Sequence, residues 1–145
     1  MKHRRQRLAM FPLVCLLLIG CGTGPRLVPV SGTVTLDGEP VDQVRVVFEP
    51  VIGEADVTTE VYYSSFGITD DHGHFEMKTE VEGEVRPGAL AGGHTVRFSS
   101  LKVETFMNKG VEDQRAVHQL PPHTRDKSMR FTVPEGGTTE ANFDL

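Results

Sequence analysis

From Val28 onward, apolar and polar positions alternate with a period of two, the spacing of a strand with one buried face and one wet face. Val28, Val30, Gly32, Val34 and Leu36 alternate with Pro29, Ser31, Thr33 and Thr35, and Asp37-Gly38 then supplies residues that tolerate positive φ. Pro40 fixes another bend, after which Val44, Val46 and Phe48 alternate with Arg45, Val47 and Glu49. Phe66 and Ile68 lead into Asp70-Asp71-His72-Gly73. Phe75, Met77 and Thr79 then alternate with His74, Glu76 and Lys78, which predicts a hairpin. Val96 and Phe98 mark another strand, and Met129, Phe131 and Val133 one more. A last strand sets Thr139, Ala141, Phe143 and Leu145 against Glu140, Asn142 and Asp144, so Leu145 is expected to be pinned in a sheet.

Two stretches break the alternation. Pro50 to Ser65 contains Val57 to Tyr63, read as an extra edge strand with charged relief. Lys102 to Lys127 reads as a long connection with one helical turn over Glu112 to Val117, stopped by Pro121-Pro122. A connection of this length is either functional or an element in its own right. Six or seven short strands, frequent Gly and Pro, no Trp and no long helical pattern predict an all-β fold: a single antiparallel Greek-key β-sandwich of about seven strands over residues 28–145.

The N-terminal segment follows a different pattern. A basic head (Lys2, Arg4, Arg5, Arg7) precedes an apolar run from Leu8 to Ile19. That run is shorter than the ~20 residues needed to span a hydrocarbon core, so it reads as the apolar part of a cleaved signal peptide over residues 1–20. Leu18-Ile19-Gly20-Cys21 resembles the bacterial lipobox, in which a small residue precedes the cut and the cysteine thiol takes a diacylglyceryl group. Cys21 is therefore the expected lipidation site, and residues 21–27 a tether of at most roughly 20 Å at ~3.4 Å per residue. Two or more acyl chains anchor a protein stably where one does not.

Processing changes the chemistry left in the chain. Cys15 leaves with the leader and Cys21 becomes a thioether, so no disulfide, thiolate metal site or cysteine nucleophile is expected. The whole chain carries −5; removing residues 1–20 takes four of fifteen Lys/Arg and none of twenty acids, leaving eleven against twenty, or −9. Such a balance argues against a nucleic-acid partner and leaves the lipid to provide the membrane affinity.

Titratable donors cluster once. Asp70, Asp71, His72 and His74 offer N and O ligands within five residues, and Asp70, His72 and His74 are the weak candidates for a metal site. Strand alternation works against a chelate, since His72 lies in the turn and His74 on the polar face. His94, His118 and His123 are further donors that the sequence does not place.

The blocks Val28 to Val41, Val46-Val47-Phe48-Glu49-Pro50, Thr69 to Phe75, Leu90 to Val96 and Leu120-Pro121-Pro122 follow one order. Together they resemble the small bacterial lipoproteins carrying a carboxypeptidase regulatory-like domain, similar to transthyretin-like and collagen-adhesin B-type modules. The resemblance implies a seven-stranded Greek-key sandwich and an accessory or interaction role rather than a reaction. It also implies a large aromatic near the second of the two glycines Gly92-Gly93, where this chain has His94 and where weaker core packing is expected. The related hydroxyisourate hydrolases end in a tyrosine-arginine-glycine-serine motif, whereas this chain reads Asn142-Phe143-Asp144-Leu145. Neither a G-x-S-x-G elbow nor an H-E-x-x-H helix occurs, so no catalytic residue and no cofactor is expected.

The expected function is a lipid-anchored envelope module with a structural or protein- or glycan-interaction role, held on the cell membrane or outer membrane and facing the periplasm or exterior. The alternative is a metal- or small-molecule-binding sensor or carrier lipoprotein.

Overall fold

The computed structural model describes residues 24–55 and 62–145, and within them the chain is all-β. The lipidation site Cys21 and most of the expected edge strand over Val57 to Tyr63 lie outside the described residues.

The strands follow in chain order: β1 (Leu27–Val28), β2 (Ser31–Leu36), β3 (Glu39–Pro40), β4 (Val44–Ala55), β5 (Ser65–Ile68), β6 (His74–Glu76), β7 (Lys78–Val81), β8 (Glu84–Pro87), β9 (Ala89–Leu90), β10 (Gly92–Ser100), β11 (Val103–Asn108), β12 (Val111–Ala116), β13 (Arg130–Val133) and β14 (Phe143–Asp144). One sheet has the order β13-β10-β4-β5-β7-β8. The facing sheet has β14-β2-β3, with β6 also on β2, and β1 pairs with β9 beside them. The predicted alternation is realised where it was strongest. Val30, just before β2, and Val34 of β2 meet Val44, Val46, Phe48, Val96 and Phe98 from the larger sheet in one buried core.

The hairpin expected around Asp70 to Gly73 forms its turn but not its ladder. The Asp70 N–H donates to the His74 carbonyl at 2.9 Å, yet β6 pairs with β2 and only β7 returns to β5. Met77 makes the switch between sheets, its N–H donating to Val30 at 2.8 Å while its carbonyl accepts from Gly88 at 2.7 Å. The inner face of β5 is correspondingly Ser65 and Gly67, with Phe66 and Ile68 turned outward. At Gly67 a Cβ would lie 2.9 Å from the Glu76 carbonyl, so only hydrogen fits beneath β6. The buried Ser65 and Thr79 hydroxyls satisfy each other at 2.7 Å, as buried polar groups must.

Two corrections concern the second half. Residues 103–116 form a two-stranded hairpin, β11 with β12, in place of the loop and the helical turn over Glu112 to Val117. The single helical turn among the described residues is a 3-10 turn at Pro122–Thr124, where Pro pre-sets φ and the Thr124 hydroxyl donates back to the Pro121 carbonyl at 2.6 Å. β14 is only two residues long and parallel to β2, against the antiparallel expectation. Leu145 is nevertheless held in the sheet as expected, its N–H donating to Thr35 at 2.9 Å. Gly32 allows this close approach, because a Cβ there would lie 2.0 Å from the Ala141 carbonyl.

The two ends of β10 organise the molecule. Gly92 opens it beside β9, which pairs with the tether-proximal β1, and the register against β4 shifts between Gly92 and His94. Ser100 closes it beside the β11–β12 hairpin. Nine residues at ~3.3 Å each separate these ends by roughly 27 Å, so the hairpin is rooted far from the tether.

Candidate functional site

The Asp70 turn spends its polar groups on the fold. Asp70 Oδ1 accepts the backbone N–H groups of His72 and His74, both at 2.9 Å, and these bonds, that of His74 first, hold its carboxyl below the ordinary 3.8. Gly73 has φ +72 and its carbonyl accepts from Val34 at 2.8 Å, which docks the turn on β2. Donor atoms of Asp70, Asp71 and His72 do lie within 4.8 Å of one another, but all three residues are exposed. His72 Nδ1 faces Asp71 at 2.6 Å, and His74 Nδ1 stands 4.0 Å from Asp70. One Asp70 oxygen is thus committed twice to backbone, and the cluster is first of all an ordered, exposed turn.

The other histidines are dispersed. His94 is 1% exposed and packs against Phe48 at 5.6 Å between ring centroids, so the core is filled here and not loosened. Its Nδ1 lies 2.9 Å from the Gly92 carbonyl while Nε2 is buried without a partner, and burial pushes its pKa below 6.5. His118 Nε2 meets Asp42 at 2.9 Å, and Lys102 Nζ reaches the same carboxylate at 2.9 Å. Lys102 and then His118 hold the Asp42 carboxyl below its ordinary value. This three-residue clamp sits at the root of the β11–β12 hairpin, flanking both strands. His123 lies in the 3-10 turn.

The structure assembles a site that the sequence did not mark. On the outer face of the larger sheet, Arg45 and Glu49 of β4 lie beside Arg97 and Ser99 of β10, with Arg45 opposite Ser99 in the register. Ser64 and, from just beyond the 3-10 turn, Arg125 complete a groove of about 430 Å³ over Val47. Glu49 is the one carboxylate among the described residues lining it. It pairs with Arg97 and with Lys127, the latter at 3.2 Å. Arg97 Nε is buried and unpartnered, and the Arg45 guanidinium rests 5.1 Å from the Phe66 ring centroid. Three guanidiniums against one carboxylate, flanked by two hydroxyls, favour an anionic group, because the planar fork of arginine matches carboxylate and phosphate oxygens. The only trace in the sequence is that Arg45 and Arg97 occupy polar positions of the two strongest strands. A second groove of about 470 Å³, lined by Pro29, Met77, Gly88 and Gly137 among others, has Glu76 as its one charged residue and no cation among the described residues.

Fold and groove together define an all-β, two-sheet module with a cationic face. No family model matches the chain, and neither a curated protein nor a solved structure is similar to it.

Proposed function

We propose that the chain is a lipid-anchored module of the cell envelope that holds an anionic group of a protein or glycan partner in the Arg45–Arg97–Arg125 groove, without catalysis. The reading rests on the run from Lys2 to Cys21, whose basic head, short apolar stretch and Leu-Ile-Gly-Cys terminus suit cleavage and acylation. Two further facts support it. The first strand begins at Leu27, so a lipid on Cys21 would keep the sandwich against the bilayer. The groove gives an otherwise acidic chain one surface suited to acidic ligands.

Intact mass and membrane fractionation of the full chain beside Cys21→Ser test the anchor. A processed, acylated, membrane-bound protein that becomes soluble in the variant is expected; an unmodified soluble wild type overturns the reading. Arg45→Ala with Arg125→Ala is expected to leave fractionation unchanged and to abolish retention on an immobilised carboxylated polysaccharide. Equal retention by wild type and variant would remove the groove from the proposal.

A further inference from the structure

Among the described residues β11 and β12 pair only with each other, and every residue in them except the half-buried Ala116 is exposed. A two-stranded ribbon alone in water is of marginal stability, and its open edges invite a further strand. The turn fixes which groups those edges present. Lys109 and Gly110 have φ of 48° and 82°, the type I′ geometry whose flanking pair, Asn108 and Val111, exchanges hydrogen bonds inward. Every second pair does the same: Phe106 with Asp113, Glu104 with Arg115 and, one step past the strands, the Val117 N–H donates to the Lys102 carbonyl at 2.8 Å. The outer edge of β12 is therefore built from the main-chain groups of Glu112, Gln114 and Ala116.

We propose that this edge pairs antiparallel with the same edge of a second copy of the chain, about a two-fold axis through Gln114. An axis normal to the ribbon returns each side chain to its own face and sets one residue of β12 against its own copy; centring on Asp113 or Arg115 opposes like charges at the closest positions. Centring on Glu112 sets that carboxylate against its own copy, and centring on Ala116 leaves most of β12 outside the ladder. Centring on Gln114 sets Asp113 opposite Arg115 of the second copy, and Arg115 opposite its Asp113. These are non-hydrogen-bonded positions, where Cα atoms approach to ~4.5 Å and opposite charges attract most directly.

The Arg115 guanidinium is already poised on that face, 3.5 Å from Glu104 and 5.5 Å from the Phe106 ring centroid. In the single chain Asp113 Oδ1 accepts the Gln114 N–H at 2.9 Å; turning that carboxylate toward arginine frees the N–H for the new ladder. The outer edge of β11 has no such match, since its axis through Thr105 would place Glu104 opposite Phe106. The pairing does not depend on the lipid, because the hairpin lies at the opposite end of β10 from the tether.

Oxidative cross-linking of full-length Gln114→Cys in its own membranes tests the register, since directly opposed residues with Cα atoms ~5.5 Å apart suit a disulfide. A covalent dimer is expected. Adding Asp113→Arg or Arg115→Asp to that variant sets like charges opposite each other and is expected to cut the dimer at least tenfold. Co-expressing the two doubly substituted chains restores both ion pairs and is expected to restore the dimer, which a misfolded hairpin would not do. Absence of the Gln114→Cys dimer, insensitivity to either charge change, or failure of the mixture to recover overturns the proposal.

Discussion

The two-residue strand β14 and the hairpin of β11 and β12 invert the usual relation between strand length and stability. Phe143, in the shorter element, lies among the rings of Phe98, Phe131, Phe48 and Phe75, at centroid distances of 5.1 to 6.4 Å. Around it Asn142 Oδ1 accepts from the Thr33 N–H at 3.0 Å and from its hydroxyl at 2.9 Å, and Asp144 accepts from Thr35 at 2.7 Å and from the Gly38 N–H at 3.0 Å. Thr35 and then Gly38 hold the Asp144 carboxyl below its ordinary value. The hairpin has a complete ladder of its own and almost no apolar burial. A strand is stabilised by what its side chains remove from water, and hydrogen bonds that merely replace those to solvent add little.

Phe143→Ala separates the two regions most sharply. It is expected to lower the global unfolding free energy by about 3 to 5 kcal/mol, the usual range for a phenylalanine cut from a core, measured by urea denaturation. Phe106→Ala in the hairpin is expected to change the same quantity by less than about 0.5 kcal/mol.

Between these extremes lies His94, which adds a pH dependence to the core. Its pKa is depressed in the folded state, so below the ordinary 6.5 the unfolded chain takes up a proton that the folded chain does not. Stability is then fully present above pH 6.5 and falls as pH drops toward the folded value, with a slope of at most about 1.4 kcal/mol per pH unit. The carboxylates of Asp42, Asp70 and Asp144 have depressed values too, but from 3.8, so their contribution is lost only in stronger acid. His94→Phe is expected to flatten the thermal midpoint between pH 7 and 5; an unchanged slope would assign the effect to another group.

The same contrast explains what the sequence revealed. Where one face of a strand is buried, as at Val44, Val46 and Phe48, the period-two pattern located it without ambiguity. In Val103 to Ala116 both faces are exposed, selection for apolar alternation is absent, and the hairpin was read as a loop despite the Lys109-Gly110 turn. The sheet switch at Met77 and the parallel pairing of β14 depend on partners far along the chain, which periodicity does not name. The arginine groove was hidden for a related reason. Arg45, Arg97 and Arg125 each look like ordinary solvated positions until the β4–β10 register and the 3-10 turn converge on them.

The seating of β14 also sets an order of events. Thr33 receives its partner from Asn142, 109 positions further on, and Phe98 and Phe75 have no ring between them until Phe143 is in place. The smaller sheet therefore cannot close until residues 142–144 have been made. An early strand that waits on so distant a partner stays open while everything between them is made, so β14 acts as a timing device as well as a wedge.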